Sequence, residues 1–289
     1  MEIIKAILFG IIEGITEWLP VSSTGHMILL NEFLPLQVGA GEFSGEEYKI
    51  FAEEFYSMFE VVIQLGAILA VIVLFFRKLN PFALSKTPEE KKSTWRLWFK
   101  VIVAILPSGV IGVLADDFLD AHLGNYVVVS LALIVYGVAF ILIERRKNGA
   151  PRVDSTDTIS WRMALAIGAF QVLSLIPGTS RSGSTILGAM LLGLSRTAAS
   201  EFSFFMAIPT MVGASLVRGY KFVDYVVESG TSVPAEAWIV LAVGCLTAFV
   251  VSLASIKFLM DFVKRHTFTS FGIYRIALGV LVLGYFIFR

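Results

Sequence analysis

Apolar residues run through this chain in long blocks, with polar residues clustered between them. Six blocks read as full membrane spans, at about 59–76, 100–117, 126–143, 202–218, 237–256 and 272–288. A span needs about 20 predominantly apolar residues. Two further blocks, 3–34 and 163–195, are apolar at their ends but broken in the middle, the first at Pro20 and the second at Pro177-Gly178. Proline ends a helix, and a run of hydroxyl residues favours the start of another. In the first block, Pro20 followed by Ser22-Ser23-Thr24 predicts one short helix to about Leu19 and a second from about Gly25 to Leu34. Neither piece crosses a bilayer alone. Together they suit a re-entrant hairpin, which is tolerated where it is buried in protein or lines a cavity.

The pattern of one broken block and three spans then repeats, giving repeat 1 at about 1–145 and repeat 2 at about 160–289. The polar clusters alternate in sign. Residues 31–58 carry Glu32, Glu42, Glu46, Glu47, Glu53 and Glu54, and Asp116, Asp117 and Asp120 form an acidic turn. A mixed, slightly acidic loop covers 219–236. The segments 77–96, 144–162 and 257–270 are basic. Cytoplasmic loops carry the excess of Lys and Arg. Seventeen of the 23 Lys and Arg then fall on that side, in 77–100, 145–162, at Arg196 and in 257–275. Both termini lie outside. Three spans is an odd number, so the second repeat is inverted relative to the first, and its hairpin enters from the opposite face. Such folds place broken helices and their site near the bilayer midplane.

Composition agrees. Hydrophobic residues make up 56% and charged residues 16% of the 289, with mean hydropathy +0.80. A soluble domain carries about a quarter charged residues. The long continuous runs exclude a barrel, whose strands alternate over short segments. The expected class is therefore an all-α integral membrane protein with six transmembrane helices and two re-entrant helical hairpins. Net charge is zero and points to no nucleic-acid partner. The one cysteine, Cys245, lies in an apolar run, which excludes an internal disulfide and a thiolate metal cage. No basic segment leads into a small-residue cleavage site, so no removable signal peptide is expected.

The chemistry sits at the two breaks. Glu13 and Glu17 are spaced i, i+4 on one face of a short helix. Like charges at that spacing repel, more so in low dielectric, so one is protonated or both hold a cation. Oxygen ligands without sulfur suit Mg²⁺ or Ca²⁺. A solvated helix face is the plainer reading, and the apolar flanks oppose it. Ser22, Ser23 and Thr24 exceed what one helix cap requires, and with free N–H groups they make an anion site. Ser23 is a candidate nucleophile, and a metal-bound water in its place is the alternative. His26, about one turn on, can be its base, the acid for a leaving group or a nucleophile itself; the plainer role is a core histidine bonded to a carbonyl. The second break, Gly178-Thr179-Ser180-Arg181-Ser182-Gly183, is another anion cradle. Arg181 needs an anionic partner, either a phosphate or Glu13 or Glu17. Gln171 stands where Glu13 stands in the first repeat. Glu60 and Glu201 read as helix-dipole partners at span starts, and His122 and His266 as surface residues. Gln64 and Tyr136 receive no role.

Glu13-x-x-x-Glu17 with Leu19-Pro-Val-Ser-Ser-Thr-Gly-His26, and Pro177-Gly-Thr-Ser-Arg-Ser-Gly183, resemble the bacterial undecaprenyl-diphosphate phosphatases of the bacitracin-resistance type. Glu60 to Gly66 and Ser195 to Phe202 extend the resemblance over nearly the whole chain. It implies hydrolysis of a polyprenyl diphosphate lipid to the monophosphate carrier used in peptidoglycan synthesis, in the bacterial cytoplasmic membrane. It also implies an extracytoplasmic site, a divalent cation, and roles for Glu13, Glu17, Ser23, His26 and Arg181. The Lys-x₆-Arg-Pro motif of phosphatidate-type phosphatases is not found. A lipid flippase or transporter is the rival reading, since inverted repeats with broken helices are transporter-like. A small-anion channel fits less well, because it has no use for a hydroxyl–histidine pair. A homodimer stays open.

Overall fold

The computed structural model describes residues 1–123, 125–146 and 150–288. Among the described residues eleven α-helices follow in order: α1 (Glu2–Thr16), α2 (Ser23–Phe33), α3 (Gly45–Leu74), α4 (Phe76–Leu79), α5 (Pro88–Leu123), α6 (Tyr126–Arg146), α7 (Trp161–Val172), α8 (Arg181–Leu191), α9 (Arg196–Ser229), α10 (Ala235–Arg265) and α11 (Thr269–Phe288). Among the described residues, β pairing is limited to one isolated bridge between Val153 and Leu194. Six helices, α3, α5, α6, α9, α10 and α11, are long and apolar enough to cross a membrane. They leave large apolar side chains such as Leu131, Leu216 and Leu281 on the outside. The expected all-α membrane class is therefore present.

Several helices outrun their apolar blocks. α3 begins at Gly45 and takes in Glu46, Glu47, Glu53 and Glu54, so most of the polar loop expected at 31–58 is helix. α9 continues to Ser229, through much of the loop expected at 219–236. α5 continues to Leu123, so the acidic turn expected at Asp116, Asp117 and Asp120 is helical backbone. Side chains of 116–121, and Lys147 of the basic loop, lie outside the described residues. The physical reason is common to all three. Hydropathy marks the part of a helix that sits in hydrocarbon, whereas backbone hydrogen bonding carries the helix on into water. Glu46 and Glu47 even favour the α3 N-terminus, where the helix dipole welcomes negative charge.

The broken blocks each fold as two short helices, α1 with α2 and α7 with α8. α1 packs along α10, and α7 packs along α5; α3 pairs with α9, and α6 with α11. Matching glycines allow the two short-helix contacts. A Cβ on Gly10 would meet the Gly244 carbonyl oxygen of α10 at 2.7 Å, and one on Gly168 would run into the Ala104 carbonyl of α5. Small residues at helix crossings let backbones approach where lipid offers no hydrophobic gain. The largest core cluster gathers Trp18, Phe202, Phe204, Phe205 and Phe268.

Candidate active site

Each break is a short turn ending in a strained serine. Ser22 has φ 75° and caps α2, its Oγ accepting from the Gly25 N–H. Ser180 has φ 71° and caps α8, its Oγ accepting from the Gly183 N–H at 3.1 Å. A left-handed non-glycine backbone is uncommon and concentrates at functional sites. These two are the only such residues among those described. The serines expected to bind substrate thus already act as caps of α2 and α8.

The two turns touch. Arg181 Nη2 donates to Glu17 Oε1 at 2.9 Å, with both side chains largely buried. Arg181 Nη1 donates to the Ser203 carbonyl of α9 at 2.7 Å, and its guanidinium lies over the Trp18 ring. Ser182 Oγ donates to the Glu17 carbonyl at 2.9 Å. Ser23 Oγ donates to Glu17 Oε2 at 2.9 Å, so the hydroxyl turns to the carboxylate rather than to His26. Glu17 is therefore the hub, with one oxygen on the second break and the other on its own. Thr179 is buried, and Thr24 is exposed.

Glu13 is buried to 1% exposure, and its Oε1 has no hydrogen-bond partner. It also faces the carboxylates of Glu17 and Glu60. Glu60 lies in the middle of α3, not at a span start, so the helix-dipole role expected for it does not apply. Glu201 pairs with Lys78 at 2.5 Å. Gln171, the counterpart of Glu13, donates through Nε2 to Ser108 Oγ at 2.6 Å and Thr210 Oγ1 at 3.2 Å. Its Oε1 is also unpartnered. An unpaired buried carboxylate oxygen is costly, and hard divalent cations take such oxygens together with phosphate oxygens. The donor set at Glu13 and Glu17 fits such an ion, although no group of three or more His, Cys, Asp or Glu gathers among the described residues.

Two residues of α11 complete the site, and both escaped the sequence reading. Arg275 was counted with the cytoplasmic basic residues, but it is fully buried. Its Nη1 donates to the Pro20 carbonyl at 3.2 Å, and its Nη2 to the Gly178 and Thr179 carbonyls, both at 2.9 Å. One guanidinium thus holds both breaks. A Cβ on Gly178 (φ +88°) would meet the Val129 carbonyl oxygen at 2.5 Å, leaving no room for a side chain. The signal was present: a lone arginine inside the apolar block 272–288. Tyr136, given no role, lies under this guanidinium. Tyr274 stacks on His26, with ring centroids 5.6 Å apart and planes 6° apart, and its hydroxyl is 2.6 Å from Nε2. His26 Nδ1 is 2.7 Å from the Ser22 carbonyl oxygen. His122 and His266 are exposed, as expected.

The two breaks thus bring together two helix N-termini, an arginine fork, a carboxylate bonded to a hydroxyl, and an imidazole nearby. Such a set has the chemistry to bind an anion and to activate a nucleophile beside it. A family model described as "Bacitracin resistance protein BacA" matches residues 6–281. The undecaprenyl-diphosphatase of Enterococcus faecalis is 53% identical over 285 residues, covering 98% of this chain and 97% of that protein. That of Limosilactobacillus fermentum is 53% identical over 287 residues, covering 99% and 98%. Undecaprenyl-diphosphatase 1 of Clostridioides difficile is 52% identical over 286 residues, covering 99% and 97%.

Proposed function

This chain belongs to the bacitracin resistance protein BacA family, and from that premise we propose how its site works. The protein is a multi-pass membrane hydrolase that converts undecaprenyl diphosphate to undecaprenyl phosphate and phosphate. The observation that carries the site assignment is the chain of contacts from Ser23 through Glu17 to Arg181, which joins the two breaks.

The terminal phosphate displaces Glu17 from Arg181, whose fork matches phosphate oxygens, and lies against the N-termini of α2 and α8. Ser23 Oγ attacks the terminal phosphorus and passes its proton to Glu17, to which it already donates. The bond from that phosphorus to the bridging oxygen breaks, and undecaprenyl phosphate leaves with the electron pair. Water then attacks the phosphoserine and gives up a proton to His26. Glu17 returns its proton to Ser23 Oγ, phosphate departs, and His26 releases its proton to bulk water, which restores the site. Glu13 and Glu17 would hold a divalent cation, Mg²⁺ or Ca²⁺, which when bound offsets the charge of the diphosphate. The charge that develops in transfer falls on Arg181 and the helix N–H groups, fixed before the reaction begins.

In the membrane, the broken pairs are re-entrant hairpins of an inverted repeat, with the site opening to the extracytoplasmic side and both termini there. The basic segments, which belong on the cytoplasmic side, support this orientation. The matched caps at Ser22 and Ser180 also favour a second reading, movement of the lipid carrier across the bilayer. Purified protein in liposomes, given labelled undecaprenyl diphosphate with and without a chelator, separates the two. Phosphate release that stops on chelation supports the hydrolase reading and the cation. Lipid movement without phosphate release supports the transporter. Phosphate trapped on Ser23 supports the covalent path, and a Ser23→Ala protein with substantial activity excludes it.

A further inference from the structure

We propose that Tyr274 is the positioning residue for His26, holding the imidazole in one place through both of its protonation states. The inference rests on the hydrolase reading above, in which His26 takes up a proton during each turnover.

The imidazole is fixed first at Nδ1. Its partner, 2.7 Å away, is the Ser22 carbonyl oxygen, which can only accept. Nδ1 therefore carries a proton, and in the neutral ring Nε2 bears the lone pair. Nε2 meets the Tyr274 hydroxyl at 2.6 Å. Towards the neutral ring that hydroxyl donates. When it hands its own proton to Nε2 and takes up the one water gives, its oxygen accepts from the imidazolium. A carboxylate in its place would favour the cation, and a backbone N–H would favour the neutral ring. A hydroxyl serves both, so the ring changes charge without losing its partner. The near-parallel stack of the two rings fixes the imidazole plane as well. Tyr274 is 46% exposed, so its hydroxyl is free to reorient. It is anchored by its neighbour, because Arg275 is tied to the carbonyls of both breaks. α11 thus sets the backbone of the site with one side chain and the imidazole with the next.

Tyr274→Phe keeps the stacking ring and removes the hydroxyl. For a residue acting through another, kcat falls about 10- to 100-fold, with KM for undecaprenyl diphosphate little changed. A direct spectroscopic readout accompanies it. The protein has three histidines, and two of them are exposed. With ¹⁵N-labelled histidine, the wild-type His26 shows one tautomer, protonated at Nδ1, with a hydrogen-bonded Nε2. In Tyr274→Phe the Nε2 resonance shifts as that bond is lost. An unchanged kcat, an unchanged Nε2 resonance, or a rise in KM alone overturns the proposal. If His26→Ala is as active as wild type, the role of His26 fails first, and the proposal falls with it. If wild-type protein releases no phosphate, the hydrolase reading fails and takes the positioning role with it, whatever the Nε2 resonance reports of the bond.

Discussion

The α1–α2 break and the α7–α8 break share a backbone and differ in side chains. Both start from a short helix pressed by a glycine onto a spanning helix, and both end in a serine cap with positive φ. The first then presents Glu13, Glu17, Ser23 and His26. At the matching places the second presents Gln171 and Arg181. In the first, the buried Glu13 keeps an open oxygen among other carboxylates. In the second, Gln171 spends its donors on Ser108 and Thr210 and carries no charge. The shared part, a positive-φ serine that caps a helix N-terminus, is suited to an anion. The unshared part divides the labour: one break brings carboxylates, hydroxyl and imidazole, and the other brings the cation.

The sharpest break of that division is Arg181→Ala. It removes the fork from the second turn and leaves Glu17 buried without its partner. We expect kcat/KM for undecaprenyl diphosphate to fall by about 10³-fold, read as phosphate release in detergent. Glu13→Gln makes the first break resemble the second. It should lower activity by about 10²-fold and flatten the response to added Mg²⁺ or Ca²⁺, checked by titrating the ion against turnover.

Arg275 tests what the breaks share. Arg275→Met leaves three carbonyls of the two turns without their donor. Lost bonds to a charged group are worth about 1.5–3 kcal/mol each, so a lowered unfolding temperature in detergent should accompany the loss of activity. Smallest is the loss of one cap. Ser180→Ala should destabilise by about 1 kcal/mol, with turnover reduced but measurable.

The breaks were legible because proline, glycine and consecutive hydroxyls in an apolar setting have few structural uses. Pro20 and Pro177-Gly178 predicted where the helices stop, and Ser22 and Arg181 fell where new helices start. The pairing of Arg181 with a carboxylate was open in the sequence between Glu13 and Glu17, and packing decides for Glu17. Arg275 was hidden by the positive-inside pattern, which counts an arginine near a span end as a loop charge. Its meaning depends on carbonyls that turns far off in sequence expose. Nothing in the sequence singled out Tyr274, because periodicity does not say which ring faces it. The expected Ser23–His26 pairing assumed that one helical turn brings side chains together. In the fold, Ser23 turns to Glu17 and His26 reaches across to α11. Helix ends were missed wherever charged residues such as Glu46 and Glu47 continue a helix beyond the bilayer.

The central claim is that the two breaks form one site through Glu17 and Arg181. A double-mutant cycle tests it most directly, with Glu17→Gln, Arg181→Lys and the pair assayed for kcat/KM on undecaprenyl diphosphate. Side chains that act as a unit lose function non-additively. The account predicts a double variant about as impaired as the worse single one. Losses that multiply, or near-normal turnover in either single variant, would contradict it.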